Sequence, residues 1–454
     1  MSKRHLLPRG VSKRHLLLAL GLAGFACRGA AAETDAKPAP PPPKATKISY
    51  YYDAIDQTII RPMTRGLDPA LAVRKLSGSH REAANVDEGD QLRLPSTWWQ
   101  PRLGFKPVTP EQMIRGPGPG TGPKRVRKWR LTGLKTQGLS LGIRIKDADN
   151  QTFQLKFDPP RWPEMASGAD VVASHLFWAS GYNVPDNAIV TFTRDDLEIG
   201  EGATYTDPLG RKRPITSDAV DGILRRVPSP TDGLYRAVAS RYLKGQPLGE
   251  WEYRGRRGGD PEDLIPHQHR REVRGLYAMA AWTNHTDGSA RNTLDMWVTD
   301  GGRSFVRHHL IDFSGCLGSG SIDRQTYASG TEHLLDFDTA LRSLVTLGLR
   351  TFVWESTEDP QLPAVGFFEA SVFDPESWKP FLPNPAYDER TERDVRWGAR
   401  IVAAFTDEHI RAAVALGQYS DPRAAEYIVK TLIERRDKIV RRWVPELAAG
   451  SDGR

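Results

Sequence analysis

An α+β fold in two lobes is what this sequence predicts, and three observations carry the prediction. From Trp129 to about Leu243, segments alternate apolar and polar residues, the period of a half-buried strand. Beyond Gly320 the apolar residues instead recur at helical spacing, over Asp336–Gly348, Thr391–Phe405, Asp407–Leu416 and Pro422–Trp443. Between the two regimes lies Lys244-Gly245, a strand end followed by glycine, where a chain naturally crosses from one lobe to the other beside a cleft. A chain of 454 residues is long enough to bury cores for both halves.

Residues 1–32 have the proportions of an export signal. Lys3, Arg4, Arg9, Lys13 and Arg14 form a basic start, and Leu16–Ala26 an apolar run too short to span a bilayer. Ser-Lys-Arg-His-Leu-Leu occurs at 2–7 and again at 12–17, a doubling that fits a true start near Val11. Cleavage fits after Ala30-Ala31-Ala32, and also before Cys27, because Gly24-Phe25-Ala26-Cys27 loosely matches a bacterial lipobox with Gly24 where Leu is usual. Both readings stay open. Each predicts export to a bacterial cell envelope, as a periplasmic protein or as a lipoprotein anchored through Cys27, the sole membrane attachment expected. No later segment is long and apolar enough for a transmembrane helix. Residues 33–46, with Pro38 and Pro40–Pro43, form a stiff extended linker.

The extension 47–128 carries few local signals. Trp98-Trp99 and Phe105 read as packed anchors. Gly116–Lys124 superficially suggests a phosphate loop, but prolines at 117, 119 and 123 remove N–H donors and no Ser or Thr follows Lys124, so it reads as a connector.

The first lobe spans 129–245. Leu131, Leu139, Leu141, Ile143 and Ile145 lead into the turn Lys146–Asn150, after which Phe153, Leu155 and Phe157 alternate with Gln154 and Lys156. Gly138 and Gly142 flank a strand start, where backbone can approach a ligand closely. Lys156 projects from the face opposite the apolar residues. A lone strand lysine is ordinarily solvated, so a functional role requires an acidic partner. After Asp158-Pro159-Pro160 a helix is expected from about Ser167 to Ser180, closed by Gly181, with Asp170 in its first turn beside the positive helix end. Asp170 is the favoured partner and Glu164 its rival. A strand follows at Ala188–Phe192, then a charged, loop-rich insertion over 193–234. Tyr235–Leu243 is the last strand before the hinge.

The second lobe, 246–454, opens with a polar loop holding Asp260 and Asp263 and a helix from about His267. That helix delivers the chain to His285-Thr286-Asp287-Gly288-Ser289-Ala290-Arg291-Asn292, then a short hairpin, then His309-Leu310-Ile311-Asp312-Phe313-Ser314-Gly315. An Asp followed five residues on by Asn, and a second Asp-Phe closing an apolar strand, form one constellation. One carboxylate takes or orients the proton of an attacking hydroxyl, while a carboxylate and an amide oxygen from adjacent segments hold Mg²⁺ on phosphates. The spacing is that of H-R-D-x-x-x-x-N followed by D-F-G.

These residues give the chain its resemblance to the protein-kinase-like superfamily, over roughly 130–320. It is most similar to the atypical members: HipA-like kinases, phosphoinositide kinases and secreted spore-coat kinases. Ala169–Pro185 resembles a helix-to-turn segment of HipA-like proteins, and Leu310-Ile311-Asp312-Phe313 the I-D-F-G of lipid kinases. The resemblance implies a bilobal protein-kinase-like fold, β-rich first and α-helical second. It implies an ATP- and Mg²⁺-dependent phosphotransferase acting on an acceptor that the sequence does not name. Lys156, held by Asp170, would grip the nucleotide phosphates, with Gly138 and Gly142 nearby. Asn292 and Asp312 would hold the metal, and Asp287 would be the catalytic base. The chain departs from the pattern in three places: Ser314 stands for the Gly after Phe313, Ser289 for the catalytic-loop lysine, and no A-P-E segment is present.

Two other classes stay open. A metal-dependent phosphoesterase would draw on His267, His269, His285, Asp287, His308, His309 and Asp312. A catalytically inactive envelope protein would keep the fold without the chemistry. A net charge of +7 favours anionic partners. Arg254-Gly255-Arg256-Arg257 and Arg270-Arg271 read equally as phosphate-facing or as solvated. No basic run interleaved with aromatics stands out, so nucleic acid is not an expected partner. Cys27 and Cys316 make no disulfide framework, and Cys316 reads as a packing residue.

Overall fold

Alternation in the first lobe becomes an antiparallel meander. β1 (Trp129–Lys135), β2 (Gly142–Lys146) and β3 (Thr152–Lys156) pair with Leu131 opposite Ile145, and Ile143 opposite Leu155. The computed structural model describes residues 41–66, 81–135, 141–207, 209–228, 232–336, 339, 344–345 and 352–448. All of them belong to one unit of the chain, Pro41–Arg454. The β2–β3 turn forms where expected, because the Asp147 carboxylate accepts from the Asp149 and Gln151 amides at 2.9 Å while Asn150 takes a positive φ.

The chain next forms α1 (Met165–Ala179), β4 (Asn187–Phe192), β5 (Leu197–Ile199), the β6–β7 hairpin (Thr204–Thr206 and Lys212–Pro214) and α2 (Ser217–Leu224). β8 (Tyr235–Arg241) then completes a six-stranded sheet of order β4-β8-β3-β2-β1-β5. The last strand along the chain therefore lies inside the sheet, between β3 and β4. The 193–234 insertion is more ordered than its charge suggested. β5 extends the sheet by pairing parallel to β1, and Val220, Ile223 and Leu224 of α2 pack on the sheet's apolar face with Ile143, Phe153 and Leu155. Burying each such side chain contributes roughly 1.5–3 kcal/mol, enough to fix the helix despite its polar flanks.

α1 begins at Met165, two residues before the expected start. The Asp158 side chain accepts from the Ser167 amide at 2.7 Å and from its hydroxyl at 2.6 Å, so the chain is already helical there. Asp170 consequently sits in the second turn. The helix-end explanation for its acidity fails, since that effect fades beyond the first turn. Gly181 closes α1 at φ +105°, and a Cβ there would collide with the Trp99 indole.

Past Gly245 the chain enters β9 (Gln246–Gly249), then α3 (Arg271–Thr283) and the hairpin β10 (Thr293–Asp300) and β11 (Arg303–Leu310), giving a sheet of order β11-β10-β9. Gly245, at φ +105°, lets the crossing press against β10: a Cβ would lie 2.3 Å from the Trp297 carbonyl oxygen. α4 (Glu392–Ala403), α5 (Asp407–Ala415) and α6 (Pro422–Trp443) follow, the first two opened by capping boxes at Thr391/Asp394 and Thr406/His409. α3 and α4 meet where Gly275 faces Gly398. The expected α+β class is what forms. Asp336–Gly348 lies largely outside the described residues.

The N-terminal extension belongs to the helical core. Trp99 packs on Trp397 of α4 and donates to the Ser180 carbonyl at the end of α1, Trp98 is buried against Trp251, His267 and His308, and Phe105 stays half exposed against Trp99 and Trp397. Among the described residues no helix is long and apolar enough to cross a membrane.

Candidate active site

Strand alternation decides which side chains reach the cleft. Phe153 and Leu155 enter the sheet's apolar core, so Gln154 and Lys156 face the other way, toward α1. There the Lys156 ammonium lies 2.5 Å from Asp170 Oδ2 and 2.9 Å from Asp312 Oδ1. Glu164 is turned elsewhere, accepting from the Ser420 amide. Asp170 is fully buried on α1. Its Oδ1 accepts from the Asn187 side chain at 3.0 Å and from the Phe313 amide at 3.1 Å. One carboxylate thus ties β3, β4 and the Asp312 segment together.

Asp312 follows β11 with φ +59°, a left-handed conformation that an Asp tolerates at some cost and that aims its carboxylate back toward Lys156. Phe313 is buried against Phe177 of α1 and against His285, ring centroids 4.9 and 5.8 Å away. Ser314 donates to Asp312 Oδ1 at 2.7 Å. Oδ2 of Asp312 accepts no hydrogen bond among the described residues, and about a third of the side chain is exposed.

Two carboxylates sharing one lysine titrate apart. Burial pushes the Asp170 carboxyl up, against the pull of Lys156. Burial would raise Asp312 too, but the Lys156 charge and the Ser314 hydroxyl hold it well below the usual carboxylate range. Burial opposes the charge on Lys156, yet Asp170 and Asp312 together raise its ammonium above the ordinary value.

The loop with Asp287 approaches from α3. Asn284 ends that helix in the left-handed region, and the His285 amide bonds back to Ala280. His285 is buried, with an unpaired Nδ1, and desolvation lowers it to about 4. Asn292 donates to the Asp287 carbonyl at 2.8 Å, and the Ile311 amide donates to the Asn292 carbonyl at 2.9 Å. Asn292 and Asp312 therefore stand at the same end of the β10–β11 hairpin. Burial raises the Asp287 carboxyl, a rise opposed by Asn292 and added to by the Asp312 charge. Gln325 fastens the two segments: its amide donates to Thr286 Oγ1 at 2.8 Å and to the Gly315 carbonyl at 2.9 Å, while accepting from Asn284.

The structure thus brings Lys156, Asp170 and Asp312 into direct contact and sets Asp287 and Asn292 beside them. Gly142 lies directly opposite Lys156, but the space it saves is filled by β3, since a Cβ would meet the Leu155 carbonyl at 2.5 Å. Gly138 lies outside the described residues. Asn187, Ser314 and Gln325 escaped the sequence reading as supports of the site. Each is a common polar residue whose partner lies far along the chain, and only Ser314 carried a signal, as a departure from glycine. Cys316 is packed in the helical core, and burial raises its thiol well above the ordinary value.

Two hard oxygen donors, Asp312 Oδ2 and the Asn292 side-chain oxygen, fit Mg²⁺, which takes one or two protein ligands and completes its shell with phosphate oxygens and water. Three of the histidines are engaged elsewhere. His267 pairs with Asp263 at 2.7 Å, His308 with Asp295 at 2.5 Å, and His309 reaches the Arg307 carbonyl. Among the described residues no three His, Cys, Asp or Glu side chains gather as a metal cage.

No protein-family model matches the chain, and no curated protein matches it. Among solved structures it is similar to the Helicobacter pylori proinflammatory kinase CtkA, at 11% identity and a TM-score of 0.38, covering 72% of this chain and 99% of that one. It is also similar to the Golgi casein kinase with Mn/ADP bound, at 10% identity and a TM-score of 0.26, over 63% of this chain and 74% of that one. A further Golgi casein kinase structure matches at 8% identity, with a TM-score of 0.26 and coverage of 70% and 75%. Scores and identities this low do not transfer a function.

Proposed function

We propose that the chain is a phosphotransferase with a kinase-like site, using ATP and Mg²⁺ to phosphorylate the hydroxyl of an acceptor. The observation that carries this is the lysine between two carboxylates of opposite shift, the outer of which keeps an oxygen free toward the cleft. Lys156 grips the nucleotide phosphates, and Asp170 fixes its position. Asn292 and Asp312 hold Mg²⁺, which neutralises phosphate charge. Asp287 accepts the acceptor's hydroxyl proton as the new O–P bond forms and the bond between the β-γ bridging oxygen and the γ-phosphorus breaks. Its carboxyl, raised by burial, is a better base than an ordinary Asp. We also propose that the protein is exported, from the 1–32 leader, which lies outside the described residues along with Cys27.

Incubation with ATP labelled at the γ or the α phosphate tests the reading, and γ label should transfer. Asp287→Asn should leave Mg²⁺-ATP affinity within about 2-fold and cut transfer at least ~10²-fold. Asp312→Asn should weaken the Mg²⁺-dependent part of ATP binding at least ~10-fold. Equal ATP affinity in wild type and Asp312→Asn would overturn the scheme. Tight Mg²⁺-ATP binding without any transfer would leave a catalytically inactive nucleotide binder.

A further inference from the structure

The stretch that follows the proline-rich linker is clamped to the second lobe and then forms a helix built inside out. The Thr46 amide donates to the Leu248 carbonyl of β9 at 2.8 Å, and the Ile48 amide to Glu250 Oε2 at 3.3 Å. Tyr50–Ile55, Asp56–Ile60 and Arg61–Gly66 run on without a break as one helix whose middle stretch is a π turn. Its inward face is polar. Asp53, Gln57 and Thr58 are buried, Gln57 donates to Asp53 Oδ1 at 3.4 Å, and Arg61 bridges Asp56 and, 3.6 Å away, Glu252.

The outward face is apolar. Tyr52, Ile55, Ile59, Ile60 and Met63 stand at the spacing i, i+3, i+7, i+8 and i+11 of a single helical face, and they are 41–66% exposed. A helix packed on a protein body for its own sake turns such a stripe inward. Here the body receives the polar side instead. Burial raises the Asp53 carboxyl, a rise opposed by Gln57, by Arg61 and, from the loop between Asp287 and Asn292, by Arg291. The polar face thus looks toward the loop of the candidate active site, and the apolar ridge looks away from it. Lys44 and Lys47, both exposed, precede the helix.

We propose that this ridge is a docking surface for an anionic lipid bilayer, with the helix lying in the plane of the headgroups and its five apolar side chains below them. That would be a second attachment, beyond the one expected at Cys27. A bilayer interface accepts a lone amphipathic helix, and exposed lysines beside it favour anionic headgroups. A second copy of the chain fits less well, because a stable protein interface takes roughly 20–30 residues a side and the ridge offers five. The position along the chain points the same way. Tyr50 lies 23 residues after Cys27. Even fully extended, at roughly 3.1 Å per residue, a chain anchored there keeps the helix within about 70 Å of the membrane. The choice of a bilayer rests on the proposed export, whereas the ridge does not.

Spin-label depth measurements test this on the full chain carrying Cys27→Ser, with vesicles of phosphatidylethanolamine and phosphatidylglycerol. Cys316 is buried and stays unlabelled. A nitroxide on Ile59→Cys should lose collisions with a water-soluble paramagnetic reagent at least ~3-fold when vesicles are added, as a side chain below the headgroups does. A nitroxide on Val126→Cys, at a position 87% exposed just before β1, should stay in water. Ile55→Gln with Ile60→Gln, both at exposed positions, should abolish the protection at 59 even where the leader holds the chain on the vesicles. A label at 59 no better protected than the one at 126 overturns the proposal, as does protection that the double variant leaves intact. Protection that appears without lipid and rises with protein concentration makes a second copy the occupant and overturns it too. Export is read separately, from removal of the 1–32 leader or acylation of Cys27 in the wild-type chain made in a bacterium, so each proposal can fail alone.

Discussion

Two of the clusters of buried charge among the described residues differ in one respect. Around Asp295, Arg257 pairs with Oδ2 at 2.6 Å and His308 with Oδ1 at 2.5 Å, while the Trp98 ring stacks on His308 at 3.6 Å. Next to it Asp263 accepts from His267, Arg270 and the Arg257 amide. Every carboxylate oxygen of this cluster has a partner. Around Lys156 the carboxylates are as deliberately placed, yet one oxygen, on Asp312, accepts no hydrogen bond among the described residues and the side chain is partly exposed. Burial of charge by itself therefore does not mark a site. The unfilled position does.

The largest effect expected from this contrast is on stability. Asp295→Ala strands Arg257 and His308 in a sealed interior and should cost about 3–5 kcal/mol in urea unfolding, the range for breaking a buried pair from one side. Asp312→Ala, at a partly solvated position and with Lys156 still paired to Asp170, should cost less, about 1–2 kcal/mol. Comparable losses in the two variants would erase the distinction between a structural cluster and a binding one.

A smaller effect separates the clusters by pH. His285, next to Phe313, titrates at about 4 when folded against 6.5 when unfolded. Between those values the unfolded chain holds the extra proton, so stability falls as pH falls, by about 1.4 kcal/mol per unit and roughly 3 kcal/mol across the window. His285→Leu should flatten that slope by the same amount, read from unfolding free energies at pH 6.5, 5.5 and 4.5. An unchanged slope would mean that the acid sensitivity comes from elsewhere, with His309, also lowered to about 4, as the next group to replace.

Local physics made much of this legible. The meander, the hairpin and the span Pro422–Trp443 follow from periodicity and turn residues, and the spacing of Asp287, Asn292 and Asp312 picked out residue types that the fold gathers. What stayed hidden depended on partners far along the chain. Nothing near Asp170 announces that Asp158 starts its helix early. Nothing in 47–128 says that Trp98 and Trp99 belong to the helical core, because their partners lie about 80 to 300 residues away.

The smallest predicted effect concerns Ser314, which stands where the resemblance calls for glycine. Its hydroxyl stabilises the charged form of Asp312, whose folded pKa is depressed. A depressed carboxyl contributes stability above its unfolded value, near 3.8, and loses that contribution as pH falls through the folded value. Ser314→Gly should therefore cost about 1 kcal/mol at pH 7, the worth of one hydrogen bond to a charged group reduced by solvent. The difference from wild type should shrink below pH 3, and the Asp312 carboxyl should titrate higher by carbon-detected NMR. If the serine only fills space, the cost will persist unchanged into acid and the Asp312 titration will not move. In that case the open oxygen of Asp312 owes its charge to Lys156 alone, and the serine is neutral to the binding role that separates this cluster from the sealed one.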